Sequence, residues 1–357
     1  MKRLVVLASL ILIIVASPAL SAPQDAKGLV EQGLALLQQG QVEDATLQFQ
    51  LAVVADPKNA EAHFNLGLCL IQTLQYSEAV MSLKQATKLN PKHVDAYVSL
   101  AEAYLYLGMR AEAIDAGKRA LKPEPGYAQA HNALGLAYLS DKRTEEAMAC
   151  FRKAIEAWPD YAMAYANLAT AQLMSGDAPS ALASLKEAVR IDPEFDEAQY
   201  NLGLLHQAMW NHNQALAAFA KVVEIYGKGE VVPYHESEVH YHLGMSHLAL
   251  GQIERAEAEF NKALDIHRGY DDAGVGLGLV YLHTKRYEQA IDALFRVVQH
   301  SPNRTDARYG LGQAYSALGK HQEAINAFRM VFVFEPKHVA SYTALVDEYL
   351  ALGDKAS

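Results

Sequence analysis

Residues 128–161, AQAHNALGLAYLSDKRTEEAMACFRKAIEAWPDY, decide how the rest of the chain is read. His131, Leu134, Gly135 and Tyr138 recur at i, i+3, i+4 and i+7, which is one stripe of an α-helix. A polar turn at residues 140–144 interrupts the pattern, and a second stripe follows at Ala147, Phe151 and Ala154. Pro159 ends the second helix, because it lacks an N–H and biases Trp158 away from helical geometry. The stretch predicts a helical hairpin whose arms approach at small residues, Gly135 facing Ala147. One hairpin cannot bury its own apolar face, so it needs similar neighbours.

The neighbours follow at a fixed step. At intervals of 34 residues the second-helix alanine recurs as Ala45, Ala79, Ala113, Ala147, Ala181 and Ala215. After a step of 41 it resumes as Ala256, Ala290 and Ala324. The first-helix small residue recurs as Gly33, Gly67, Ala101, Gly135, Ala169, Gly203, Gly244, Gly278 and Gly312. The closing proline recurs as Pro57, Pro91, Pro125, Pro159, Pro193, Pro302 and Pro336. This helix–turn–helix pattern of Leu-Gly, Tyr, Ala, Phe, Ala and Pro resembles the tetratricopeptide repeat over residues 26–353. The resemblance implies an all-α, right-handed superhelical solenoid whose first helices line a concave surface. Family members hold peptides on that surface.

The sequence divides accordingly. Residues 1–21, with Lys2, Arg3 and an apolar run over 4–15, read as a signal peptide cleaved after Ser21. Residues 22–226 carry repeats one to six, residues 227–236 an insertion, and residues 237–338 repeats seven to nine. Residues 339–357 read as a C-terminal capping helix, with Asp347 and Glu348 solvating the end of the array. The insertion is either a longer second helix or loop that preserves stacking, or a hinge that carries a site. The expected location is the bacterial periplasm. The alternative is the inner membrane, with residues 4–20 as an uncleaved anchor.

A net charge of −10 argues against non-specific binding to nucleic acid, which requires a basic surface. Cys69 and Cys150 belong to hairpins two apart and are expected to be free core thiols. Interior glycines Gly274, Gly276 and Gly310 cost helix stability, and the hairpin contact explains none of them.

The resemblance places the fifth, sixth and ninth residues of each repeat on the inner surface. The candidate peptide-binding groove is Phe64, Asn65, Leu68, Leu136, Asn167, Tyr200, Asn201, Leu204, Tyr241, Met245 and Tyr309. It is largely apolar and is edged by second-position acids including Glu61, Asp95, Glu197, Glu238, Asp272 and Asp306. An apolar strip of that size marks a binding surface, unless tight winding buries it between first helices. Asn65, Asn167 and Asn201 match the asparagine ladder of the O-linked N-acetylglucosamine transferase repeats, which grips a peptide backbone. Here the ladder is broken by Glu31, Ser99, Ala133, His242, Gly276 and Gly310. The basic carboxylate clamp of chaperone-binding relatives is missing, since no fifth or ninth position is Lys or Arg.

His206, His240 and His247 occupy fourth and eleventh positions and read as core histidines rather than metal ligands. Gly274-x-Gly276-x-Gly278 lies inside a helix and follows no strand, which excludes a dinucleotide loop. No motif supports catalysis, a cofactor or a metal. The expected function is a non-enzymatic scaffold that binds a protein or peptide client in the assembly of a cell-envelope complex. Self-association as an architectural protein, or an enzymatic site at residues 227–236, are the competing classes.

Overall fold

The computed structural model describes residues 25–229 and 235–353. Residues 1–21, read above as a signal peptide, and residues 230–234 of the insertion lie outside them. Among the described residues there are nineteen helices and no strand. They fall into two compact units that meet at Asp177 and Ala178, inside the fifth repeat rather than at the insertion. The first unit holds α1 (Ala26–Gln38), α2 (Val42–Ala55), α3 (Ala60–Gln72), α4 (Tyr76–Leu89), α5 (Val94–Tyr106), α6 (Arg110–Ala120), α7 (Ala128–Ser140), α8 (Thr144–Ala157) and α9 (Ala162–Met174). The second holds α10 (Ala178–Ile191), α11 (Asp196–Ala208), α12 (His212–Gly227), α13 (Glu236–Ala249), α14 (Ile253–Ile266), α15 (Asp271–His283), α16 (Tyr287–His300), α17 (Thr305–Ala317), α18 (His321–Phe334) and α19 (Val339–Ala351).

Local chemistry sets each hairpin. Asp25 and Asn59 accept bonds from the N–H groups of Gly28 and Ala62, capping α1 and α3. First helices end in a left-handed residue, Gly40 in the first repeat, and the following N–H of Gln41 returns to the Leu36 carbonyl at 3.0 Å. That is the Schellman arrangement, which satisfies carbonyls the helix end would orphan. It recurs through both units, as Asn211 to His206 and Lys320 to Tyr315 show. Asp56 and Trp158, each before a closing proline, are extended, as the proline ring requires.

The hairpin contact has a detail the sequence reading lacked. A Cβ built on Gly135 would come within 2.5 Å of the Phe151 ring, so the missing side chain makes room for Phe151. Gly33, Gly203, Gly244 and Gly312 receive Phe49, Phe219, Phe260 and Phe328 in the same way, while Gly67 and Gly278 receive Leu83 and Leu294. These phenylalanines are among the largest fully buried side chains of the protein. Each contributes about 1.5–3 kcal/mol by leaving water. The second-helix alanines are fully buried too. The remaining interior glycines are also explained. Gly276 and Gly310 lie against Phe260 and Leu294 of the preceding repeat, and Gly274 against Val297.

Position four carries a recurring bond that the sequence pattern did not disclose. His63 and His131 direct Nε2 to the carbonyls of Pro57 and Pro125. Gln199, Arg308 and Tyr342 donate to Pro193, Pro302 and Pro336 in the same way. A proline carbonyl only accepts, so both histidines carry the proton on Nε2. Where the closing proline is missing before repeat seven, His240 turns to Glu259, with Nδ1 2.6 Å from its carboxylate.

Stacking continues across the insertion within the second unit. Helix α12 runs 16 residues, and its Val222, Ile225 and Tyr226 share a buried cluster with Val239 and Leu243 of α13. Cys69 and Cys150 are buried and free, and burial raises both thiols above the ordinary range. No helix among the described residues is long and apolar enough to cross a membrane. Helix α19 departs from a solvating cap: Glu348 is buried and accepts from His321 Nδ1 at 2.7 Å, while Val339, Tyr342, Val346 and Leu350 are exposed. Val346 holds the position that is glycine or alanine in the other repeats, where a second helix covers it.

Candidate functional site

The eleven groove residues lie on first helices, on α3, α7 and α9 in the first unit and on α11, α13 and α17 in the second. Asn65 is buried, and the other ten are half-buried. They are therefore not a freely exposed strip; packing covers most of the surface that the sequence reading left open.

In the first unit the face is small and quiet. Phe64 packs on His93, ring centroids 4.4 Å apart, and Leu136 packs against the common core. Asn167 donates from Nδ2 to Asn132 Oδ1 at 2.9 Å. This bond joins a sixth-position amide to a fifth-position amide of the preceding repeat, so part of the asparagine ladder is satisfied within the protein. Asn65 and Asn167 are not joined in a row.

In the second unit the same positions build an aromatic and acidic lattice. The Tyr200 hydroxyl donates to Glu238 Oε2 at 3.3 Å, and His235 Nδ1 meets the same oxygen at 2.7 Å. The two rings stack at 5.1 Å. Burial, reinforced by the Glu238 charge, holds the Tyr200 hydroxyl well above the ordinary tyrosine range. His242 stacks on Phe219 at 5.4 Å and meets Gln207 Oε1 through Nδ1 at 2.8 Å. An amide oxygen only accepts, so His242 carries its proton on Nδ1. Burial pushes its pKa down to about 4, against the opposing charges of Glu238 and Asp272. Gln207 in turn donates to the His242 carbonyl and to Ser246 Oγ, tying α11 to α13.

Tyr241 lies edge-on to Tyr270 at 5.6 Å. Burial raises its hydroxyl, as do the nearby charges of Asp272 and Asp306. Arg304 bridges those two acids, at 2.9 Å to Asp272 and 2.6 Å to Asp306. Burial alone would raise Asp306, but Arg304 and the Ala307 N–H bring it below the ordinary carboxylate value. Tyr309 packs on Phe328 and His338. Met245 packs against the core cluster of Phe260 and Leu204 against that of Phe219, and Asn201 is half-buried beside Tyr200.

Three features escaped the sequence reading. Trp210, in the turn after α11, is exposed and lines a cavity of about 310 Å³ with Tyr241, His242 and Met245. A cleft of about 1000 Å³ opens on the second-helix side of the first unit, lined by Lys84, Lys88, Tyr97, Tyr104 and Arg119. Helix α6 is only 11 residues long there, and Pro123 follows its end. A third cleft, of about 630 Å³, opens between α14 and α16 where Gly274 leaves position four without a side chain. The non-glycine turn residue and the extra proline were the available signals. Among the described residues no group of three or more His, Cys, Asp or Glu side chains is placed to hold a metal.

Comparison with known proteins agrees with this architecture. The profile of the tetratricopeptide repeat matches residues 126–194 and 195–269. That of anaphase-promoting complex, cyclosome, subunit 3 matches residues 38–120 and 250–331. The crystal structure of the APC/C hetero-tetramer Cut9-Hcn1 superposes with a TM-score of 0.54 at 16% identity, covering 93% of this chain and 78% of that one. A monomeric mutant of IFIT1 with m7Gppp-AAAA gives 0.56 at 18% identity, over 86% and 71%. PilW, a widely conserved type IV pilus biogenesis factor, gives 0.51 at 24% identity, over 59% and 94%. No curated protein sequence matches the chain. The structural likenesses show the fold. The chain is a tetratricopeptide-repeat protein, an all-α array of helical hairpins.

Proposed function

We propose that the protein is a non-enzymatic scaffold that holds a peptide or amphipathic helix of a client on its first-helix face. The observation that carries this is the lattice of half-buried tyrosines and paired acids on α11, α13 and α17, where aromatic area and fixed charge occur together. Such rings offer contact area at low entropic cost, and aromatic anchors dominate interface energies. With residues 1–21 read as a signal peptide, the client belongs to a cell-envelope assembly. The fold also occurs in an APC/C hetero-tetramer and in a pilus biogenesis factor, contexts in keeping with a scaffold.

Position-specific photo-crosslinking tests the reading. A benzophenone amino acid in place of Tyr241 or Tyr309 should give client adducts in host envelope extract, and one in place of the exposed Phe295 on α16 should not. Adducts from position 295 alone would place the client on the second-helix face. Mass spectrometry of the mature N-terminus tests export, with Ala22 as the expected first residue.

A second reading is self-association, favoured by the exposed Val339, Tyr342, Val346 and Leu350 of α19. It expects a mass that rises with concentration and a monomer on Val346→Glu. A mass independent of concentration removes it.

A further inference from the structure

Trp210 stands at a turn position that most repeats fill with glycine and that Leu74, Lys142 and Lys285 fill in three others. Ten first helices end in the same left-handed residue, and Gly40, Gly108, Gly176, Gly251, Gly319 and Gly353 fill six of those places. Trp210 adopts φ +60 and leaves 82% of its surface exposed. A bulky side chain in that region of backbone space is strained. The exposed indole is not held there by core packing; it forms part of a cavity wall.

The cavity of about 310 Å³ beside it is built for a small occupant. Ala208 and Ala249, the equivalent residues of adjacent repeats, keep it open, and Met245 and the Tyr241 and His242 rings line it. Its volume is at the low end of ligand sites, which span about 300–1,000 Å³. That suits one or two side chains and is too small for a dinucleotide. His212 meets the indole edge-on at 5.8 Å, and both of its ring nitrogens are buried without a partner. A buried nitrogen of this kind is costly unless something bonds to it.

Charge identifies what the occupant belongs to. Tyr241 is shared between the cavity and the acids: its hydroxyl lies in the field of Asp272 and Asp306, with Arg304 between them. Glu238 lies one repeat earlier and is partnered by the Tyr200 hydroxyl and His235. Acids outnumber the bridging arginine along this edge, so a segment crossing it should be basic.

We infer that the cavity under Trp210 takes one apolar side chain of a lysine- or arginine-rich client segment, with the indole packed on that side chain and His212 bonding the segment's backbone. This rests on the first-helix face being the client surface, and it specifies the anchor and the charge.

The chain has two tryptophans, so Trp158→Phe leaves Trp210 as the sole indole reporter. The peptide Ac-KRFLRK-NH2 should shift its emission saturably. Ac-EDFLDE-NH2 and Ac-KRGSRK-NH2 should bind at least tenfold more weakly. Calorimetry on Trp210→Gly should show at least a tenfold loss for the first peptide. The variant should melt no lower than the parent, because glycine relieves the left-handed turn, so misfolding cannot explain that loss. Equal binding of the acidic or the glycine-serine peptide overturns the proposal, as does an unaffected Trp210→Gly. Saturable binding of dodecanoate with no response to peptides overturns it too, in favour of a lipid-like ligand. If position 241 crosslinks a client and Trp210→Gly binds normally, the pocket fails and the face stands. If neither 241 nor 309 crosslinks, the face itself fails.

Discussion

The two units are made from one repeat and use its first-helix face differently. In the first, the face carries Phe64, Leu68 and Leu136, and its amides Asn132 and Asn167 bond each other. In the second, it carries Tyr200, Tyr241 and Tyr309 with Glu238, Asp272 and Asp306. The hairpin contact beneath is unchanged, with Phe151 on Gly135 in one and Phe260 on Gly244 in the other. Positions 8, 20 and 24 hold the hairpin together, and positions 2, 5 and 6 are left free to vary. A repeat array can therefore keep its fold while it changes its surface, because each hairpin couples mainly to its neighbours.

That division is easiest to break at the core. Phe151→Ala and Phe260→Ala should each cost about 3–5 kcal/mol, the range for deleting a buried aromatic ring. Hydrogen exchange should show the loss confined to the first unit for Phe151→Ala and to the second for Phe260→Ala. Uniform loosening in both would mean that the units are one cooperative body.

Acid should separate the units by a smaller amount. An ordinary histidine titrates near 6.5, and burial lowers His242 to about 4. Above pH 6.5 both folded and unfolded states are neutral there. As pH falls from about 6.5 towards 4, the unfolded chain binds the proton first, so stability is lost through that window. His206 is lowered by burial in the same unit, and His131 in the first. Urea midpoints followed over this range should fall more steeply in the second unit. His242→Phe keeps the ring on Phe219, cannot titrate, and should reduce that slope. An unchanged slope would show that His242 is not the responsible group.

A single hydroxyl gives the next step down. Tyr200→Phe keeps the ring against Phe219 and His235 and removes the bond to Glu238. The expected loss is about 0.5–1.5 kcal/mol. Ultraviolet titration should also lose one tyrosine that ionises late, since the Tyr200 hydroxyl is held high. A titration identical to the parent's would contradict the buried bond.

The smallest effect belongs to the outer surface of the first unit. Glu145 is exposed on α8, so Glu145→Ala should shift stability by no more than about 0.5 kcal/mol and leave client capture unchanged. Lost capture would move the functional face to the second helices.

The sequence by itself determined the repeat and its helix–turn–helix order, because a 34-residue period in Gly, Ala and Pro reports local backbone needs. Left-handed turns, pre-proline extension and helix stripes act within a few residues, so they are legible without coordinates. The two cysteines, assigned to separate hairpins, were free for the same reason. Partners across the hairpin and between repeats were decided only by the tertiary structure. Gly135 was read on size as a place of close approach, but that the Phe151 ring is seated on it follows only from the helix separation. Glu348 looked like a solvent-facing cap residue but turns inward to His321, because the charge of a side chain does not fix which way its helix is rotated. The groove residues were placed on first helices by their register, yet their half-burial depends on how far the next repeat overlaps them. Trp210 was invisible to a search for periodic residues, since it occupies a turn and breaks the pattern. Its exposure, and the cavity beside it, exist only once α11 and α13 are packed together.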